Sequence, residues 1–234
     1  YKRRLDRLCA RIRLTDSKML VFAEDKDVLQ LVAKHDCIAV SASPATFREW
    51  NRRDEVRAAL QRKPLPFRNI ELISAEYTCL TNCKFEALTR AVSIARQTLS
   101  LPISHACWID AGMREGMLEN VHDLSVGWYA SDDRLRVPLY NIEPPTDWIC
   151  LSVPMTCILA TAFGGSIAKL EWLHTETSAL QSALLKQGKC GCDQQLMSIL
   201  FKQQRDMFRI TKLFARKIPF FFLLDHQMQH VLRV

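Results

Sequence analysis

The stretch HACWID at residues 105–110 decides how this sequence is expected to fold. Its first five residues suit a buried strand, and an aspartate follows them at once. Residues 81–99 carry apolar side chains at helical spacing, with Thr81 as the predicted N-cap. A helix that leads into a strand in this way is typical of a sheet with helices packed on it, whose ligands lie beyond the carboxyl ends of the strands. Asp110 is placed at such an end.

The same alternation extends in both directions from this stretch. We predict a single α/β domain over residues 1–234, with a mostly parallel central sheet flanked by helices. The predicted strands cover residues 19–23, 37–40, 70–73, 105–109 and 220–224, with strand-like pieces in 128–151. The predicted helices cover residues 2–13, 25–34, 44–61, 81–99, 166–186 and 193–208.

Composition and charge narrow the class of protein. Of 234 residues, 48% are hydrophobic and the net charge is +7, which excludes disordered and collagen-like chains. The longest strongly apolar run, residues 218–224, is far shorter than the roughly 20 residues of a membrane-spanning helix, so we expect no transmembrane segment in this chain. The positive charge favours anionic partners such as phosphates and does not require nucleic acid.

Three places carry candidate chemistry, each with an ordinary structural alternative. Asp110, followed two residues later by Gly112, is a candidate for binding a metal ion or a ribose hydroxyl, or alternatively for forming a turn. The pair Gly164–Gly165, predicted as a loop that enters a helix, suits an anion or sugar site, or a tight connection. Asp193 is a candidate catalytic carboxylate or a helix N-cap.

Other motifs indicate less. His226 and His230 share a helical face beside Asp225 but lack the HExxH arrangement of metalloproteases. GxGxxG, GxxxxGK[ST] and GxSxG are all missing from the sequence, so motif-based dinucleotide, P-loop and serine-hydrolase interpretations have no support.

Several segments, taken in order, resemble the HtrL/YibB family. They are EYT at 76–78, NCKF at 82–85, WIDAGMR at 108–114, FGGS at 163–166, WL at 172–173, DQQ at 193–195, and Asp225 with His230. That family is grouped with GT-A nucleotide-sugar glycosyltransferases. The resemblance implies a GT-A-like, Rossmann-related domain that transfers a sugar from a nucleotide-sugar donor to a glycan, glycolipid or glycoprotein acceptor, with Mn²⁺ or Mg²⁺ as cofactor. Because the chain opens with YKRR rather than Met, we expect it to lack the first strand of the family.

The resemblance also implies roles for individual residues. Asp193 is the candidate catalytic base. The donor site is expected to comprise Lys84, Asp110, Gly112 and Arg114, the acceptor or sugar pocket Gly164, Gly165 and Gln194, and the metal site Asp110, Asp225 and His230. The third position of the DxD motif of related GT-A enzymes is occupied here by Gly112, so Asp110 stands alone.

Two further interpretations remain. A noncatalytic carbohydrate- or protein-binding module could keep this fold and lose the DxD motif. A nucleic-acid-binding domain is suggested by Arg48, Arg52, Arg53 and Arg57, but aromatic residues do not interleave with these arginines as a stacking platform requires, so nucleic acid is not an expected partner. The compartment, cytoplasm or Golgi lumen, stays open.

Overall fold

The computed structural model describes residues 2–12, 17–62, 74–100, 102–110, 133–138, 158 and 160–211. Within them the chain is mixed α/β, as the sequence predicts. The helices are α1 (Lys2–Ile12), α2 (Lys26–Ala33), α3 (Arg53–Gln61), α4 (Ala75–Leu99), α5 (Ile167–Lys186) and α6 (Asp193–Gln203). The strands are β1 (Leu20–Ala23), β2 (Ile38–Ser41), β3 (His105–Ile109), β4 (Leu135–Pro138), β5 (Ala162–Ser166) and β6 (Phe208–Thr211). Short 3-10 turns lie at Pro44–Thr46, Glu49–Arg52 and Arg205–Met207.

The described strands form two sheets. β1 and β2 are parallel, as a strand–helix–strand unit requires, and α2 connects them. The larger sheet has the order β3-β5-β4-β6, in which β4 and β6 are parallel but β5 runs antiparallel to both of its neighbours. The expectation of a mostly parallel sheet is met in part: β1 and β2 are parallel, and β3, β4 and β6 point the same way, while the reversed β5 occupies residues that the sequence analysis assigns to a loop.

The main core lies between one face of the larger sheet and three helices. Leu135 and Val137 of β4 and Phe163 of β5 project from that face and are at most 1% exposed. α4, α5 and α6 cover them with the apolar side chains Phe85, Leu88, Val92, Ile167, Leu170, Leu173, Met197, Leu200 and Phe201. At about 25 cal/mol per Å² of apolar surface, burial of this set is the dominant stabilising term for the helix–sheet arrangement.

A second apolar cluster holds α1 and α2 on the β1–β2 pair. Leu5 and Cys9 of α1 meet Val28 and Val32 of α2, and each is at most 5% exposed. The side chain of Asp25 caps α2 by accepting hydrogen bonds from the backbone N–H groups of residues 27 and 28. The predicted amphipathic helix at the start of the chain is thus confirmed as α1.

α4 is the helix that places functional side chains. It begins at Ala75, not near Thr81, because the Ser74 hydroxyl accepts a hydrogen bond from the Tyr77 backbone N–H and caps the helix there. Its side chains contribute to three apolar clusters, Cys79 to one, Cys83 to the second and Phe85 to the third. A helix packed on so many sides holds its remaining polar side chains in fixed positions. No helix among the described ranges is long and apolar enough to cross a bilayer.

Candidate active site

Three charged side chains from different parts of the chain meet at one point. The Lys84 ammonium lies 3.0 Å from Asp110 Oδ2 and 2.7 Å from Asp193 Oδ2, and it also donates to the backbone carbonyl of Ala160 at 3.4 Å. We call Lys84, Asp110 and Asp193 the triad. Its members were each named as site residues by the sequence analysis, and the structure brings them together.

Asp110 stands at the carboxyl end of β3, as the sequence predicts. Its backbone N–H donates to the Thr161 carbonyl at 2.8 Å, so the hydrogen-bond ladder between β3 and β5 extends one residue past the strand. Its Oδ1 accepts a hydrogen bond from Trp108 Nε1 at 2.6 Å. Because Trp108 and Asp110 point to the same side of an extended chain, the indole fixes the orientation of the carboxylate.

Asp193 is the first residue of α6, where the positive end of the helix favours a carboxylate. The N-cap is Cys192 rather than Asp193. Asp193 Oδ1 accepts from the Gln194 backbone N–H at 2.9 Å, while the Gln195 side chain accepts from the Cys192 backbone N–H at 2.9 Å. Both bonds satisfy amide groups at the start of the helix that have no partner within it.

The loop before Asp193 is held by two buried amides: Asn82, which belongs to the NCKF segment at 82–85, and Gln181, which the sequence analysis does not name. Asn82 Nδ2 donates to the Gly191 carbonyl at 2.9 Å, and Gln181 Oε1 accepts from the Gly191 N–H at 3.1 Å. Asn82 and Gln181 are 2% and 1% exposed. We call Asn82, Gln181 and Gly191 the amide clamp. Its sequence signal is one amide residue on each of two helices that carry many other polar residues, and this does not reveal a partner.

Burial and charge shift the ionisation of the triad. Burial lowers the pKa of Lys84, but attraction to Asp110 and Asp193 outweighs it and leaves that pKa above its ordinary value. Burial raises the pKa of Asp110, and the opposing effects of Lys84 and the Trp108 hydrogen bond only partly offset this. Lys84 is therefore a permanent cation, and Asp110 is a weaker acid than an exposed aspartate.

Exposure distinguishes the two carboxylates. The side chain of Asp110 is 25% exposed, that of Lys84 is 12% exposed and that of Asp193 is 3% exposed. Of these three groups, Asp110 is the one that a molecule in solution reaches most readily, and Asp193 contacts solvent least.

The remaining predicted site residues fall into two groups. Gln194 is half-buried and follows Asp193 on α6. Gly112, Arg114, Asp225 and His230 lie outside the described residues.

Gly164 and Gly165 require a correction. They lie inside β5 rather than in a loop, and they pair with Cys107 and Ala106 of β3. Since a strand rises about 3.3 Å per residue, they lie roughly 10 Å along the strand from the position opposite Asp110. Ala160 and Thr161 are the residues beside the triad. A Cβ on Gly165 would lie 3.4 Å from Leu135 Cδ2, which is an ordinary van der Waals contact, so β5 is packed directly against β4 here.

The described residues do not provide the metal site that the resemblance implies. Among the described residues, no three His, Cys, Asp or Glu side chains form a group able to hold a metal ion. At the triad the position between the two carboxylates is taken by the Lys84 ammonium. Asp110 and Asp193 therefore do not fit a shared divalent ion while Lys84 is in place.

A second buried polar cluster joins residues 48–52 to α4 and α5. Glu49, 5% exposed, accepts a hydrogen bond from Ser178 Oγ at 2.9 Å and lies 3.5 Å from Arg52. Arg52 also donates to Ser182 Oγ at 2.6 Å, and the Arg48 backbone N–H donates to Glu86 at 2.7 Å. Burial raises the pKa of Glu49, and the attraction of Arg52 and the Ser178 hydrogen bond oppose this.

The arginines that suggested nucleic-acid binding have partners within the protein. Arg52 belongs to the Glu49 cluster, Arg53 stacks 4.7 Å over the Trp50 ring, and Arg57 binds both Asp54 and Glu76 at 2.6 Å. Such internal pairing weighs against a basic surface that reads phosphates.

Comparison with known proteins returned no relative: no family model, no curated protein and no solved structure matches this chain. The similarity to the HtrL/YibB family consequently remains a prediction from the residues quoted above.

Proposed function

We propose that this chain is a glycosyltransferase that moves a sugar from a nucleotide-sugar donor to a hydroxyl of a glycan, glycolipid or glycoprotein. The observation that carries the proposal is the convergence of Lys84, Asp110 and Asp193 at the carboxyl end of β3. Ligands of α/β sheets bind beyond such strand ends. The resemblance names the same three residues independently of their positions in space.

The reaction needs a base for the acceptor hydroxyl, and Asp110 has the better properties for that role. A base works best when its pKa lies near the operating pH, and burial moves the pKa of Asp110 in that direction. Asp110 takes the hydroxyl proton, the acceptor oxygen forms its bond to the anomeric carbon, and the bond from that carbon to the diphosphate oxygen breaks. The diphosphate leaves with the electron pair.

Asp193 has a different role in this proposal from the one first expected. With 3% of its side chain exposed, it is shielded from an acceptor. Its contact with Lys84 at 2.7 Å makes it a positioning residue that holds the ammonium beside Asp110. The triad carries a net charge of −1, so the leaving diphosphate requires further positive charge. Arg114 and a divalent ion are the sources that the resemblance implies.

The test is transfer or donor hydrolysis with a panel of UDP-, GDP- and TDP-sugars, with and without Mn²⁺. Wild type is expected to turn over at least one donor, and Asp110→Asn should reduce the rate about 10²–10⁴-fold, as loss of a general base does. Asp54→Asn, at a side chain that is 96% exposed, is the matched control and should keep the wild-type rate. Folded wild-type protein that turns over none of the donors would contradict the proposal.

A noncatalytic binding module is the second candidate. It is favoured by the mutual neutralisation of Lys84 and its two partners, since such a cluster can also serve to hold β3, α4 and α6 together. Titration calorimetry with free glycans separates the two candidates. Carbohydrate binding that survives Asp110→Asn, without turnover in either protein, would favour the module.

A further inference from the structure

Three of the four oxygen atoms of the triad carboxylates accept hydrogen bonds from protein donors, and the fourth, Asp193 Oδ2, has no hydrogen-bond donor and is paired by charge with the Lys84 ammonium. Asp110 Oδ1 accepts from Trp108 Nε1 at 2.6 Å, and Asp110 Oδ2 lies 3.0 Å from the Lys84 ammonium. Asp193 Oδ1 accepts from the Gln194 N–H at 2.9 Å, and Asp193 Oδ2 lies 2.7 Å from the same ammonium. A metal ion would have to share each of these oxygens with a hydrogen-bond donor or a cation.

The position of Lys84 makes sharing with a divalent ion unfavourable. Mg²⁺ binds oxygen ligands at about 2.1 Å, so an ion on Asp110 Oδ2 would stand within about 5 Å of the ammonium that contacts the same oxygen. The two cations would repel each other in a site that is largely removed from water, where screening is weak. A metal ion shared by two carboxylates lies between them, and here Lys84 Nζ occupies that position.

We propose that the Lys84 ammonium is the resident cation of this site and that Asp110 meets the substrate without a divalent ion bound to it. The inference deepens the proposed function and rests on it, because it states how the same site is charged when donor and acceptor bind. Lys84 takes the structural role that a metal ion would have: it balances the charge of Asp193 and orients Asp110. A divalent ion liganded elsewhere is compatible with this arrangement.

The experiment removes the Lys84 ammonium by substitution, which leaves room for a divalent ion between the two carboxylates. Lys84→Ala leaves Asp110 and Asp193 facing each other, and the loss of a buried ion pair predicts a fall in Tm of roughly 10 °C in buffer with EDTA. Mn²⁺ at millimolar concentration should then raise the Tm of this variant by several degrees, because an ion that binds only the folded state stabilises it. Any effect of Mn²⁺ on the Tm of a chain that keeps Lys84 should be the same with Asp110 and with Asp110→Asn.

Lys2→Ala is the matched control. Lys2 also bridges two carboxylates, Asp25 at 3.3 Å and Asp27 at 2.8 Å, but its side chain is 49% exposed. We expect this variant to lose little stability and to show no recovery with Mn²⁺, since exposed ion pairs contribute little.

Two results would overturn the inference. One is Mn²⁺ binding to wild type, measured by electron paramagnetic resonance, that disappears in Asp110→Asn; this measurement decides the matter even if Lys84→Ala does not fold. The other is a folded Lys84→Ala variant whose Tm does not respond to Mn²⁺. The proposed function fails separately: donor turnover that is absent while the Mn²⁺ recovery occurs removes the transferase and leaves the cation assignment in place.

Discussion

At the scale of single residues, the triad shows which part of a site can be predicted from sequence. Asp110 follows from its position after an apolar strand and Asp193 from its position at the start of a helix, and the resemblance adds Lys84. The ion pairs among them could not be predicted, because periodicity and spacing carry no information on which distant side chains touch. The amide clamp is hidden for the same reason, since Asn82 and Gln181 look like ordinary polar residues of helices.

The Asp193 carboxylate is expected to matter for stability as well as for the site. Asp193→Ala should lower the free energy of unfolding by about 3 kcal/mol, because Lys84 then keeps only one of its two carboxylate partners in a buried position. Urea denaturation followed by circular dichroism measures the change. Asp54→Ala, at an exposed position, should shift the midpoint little, and an equally small shift for Asp193→Ala would contradict the structural weight given to this pair.

At the scale of elements, the sequence predicts helices better than the larger sheet. α2, α5 and α6 follow from apolar spacing and their first residues. β5 was missed because two adjacent glycines have low β-propensity and provide no alternation of apolar and polar side chains. Both glycines nevertheless pair with β3, and Gly164 pairs with Arg136 of β4 as well. Thr81 is inside α4 because Ser74 provides an earlier cap.

The Ser74 cap sets where α4 begins, and α4 places Lys84. Ser74→Ala should lower the free energy of unfolding by about 1 kcal/mol, since the Tyr77 backbone N–H loses its acceptor. Ser74→Asp preserves the cap and should keep wild-type stability. Thermal unfolding of the three proteins tests this, and equal Tm values for the alanine and aspartate variants would show that the cap does not contribute.

The turn after α5 depends on glycine. Gly188 has a φ of +69°, and a Cβ there would lie 2.7 Å from Arg62 Nη1. Gly188→Ala should therefore lower the free energy of unfolding by about 1–2 kcal/mol through left-handed backbone strain, although the Arg62 side chain can move aside. Gly188→Asn is expected to lose less, because asparagine adopts this conformation more readily. Denaturant unfolding measures both variants, and a higher free energy of unfolding for Gly188→Ala than for Gly188→Asn would contradict this prediction.

At the scale of the whole molecule, the mixed α/β class is confirmed for the described residues, and strand direction is confirmed for every described strand except β5. Strand direction depends on which strands become neighbours, and the antiparallel insertion of β5 between β3 and β4 leaves no mark in the hydrophobic pattern. The Glu49 cluster is another feature of this scale, since it connects residues 48–52 to α4 and α5 with buried polar contacts.

That cluster predicts a pH dependence of global stability. The pKa of Glu49 is raised above 4.5 on folding, so the folded protein holds this proton more tightly than the unfolded chain does. The contribution of Glu49 to stability is therefore present below pH 4.5 and is lost as pH rises through the folded pKa. Glu49→Gln should gain stability relative to wild type across this window.

Urea denaturation of both proteins at a series of pH values measures the difference. Glu55→Gln, on the exposed side of α3, serves as the control and should follow wild type at every pH. A Glu49→Gln curve that runs parallel to wild type would contradict the assignment of a buried, proton-holding Glu49.

The burial of Cys9, Cys79 and Cys83 has a practical consequence. These free thiols are at most 4% exposed, and burial raises the pKa of each to about 12. Iodoacetamide reacts with the thiolate, so alkylation at these positions has to wait for an opening of the chain. Mass spectrometry of the modified peptides would then time separate events, with Cys9 reporting on release of α1 and the other two on exposure of α4, without any engineered label.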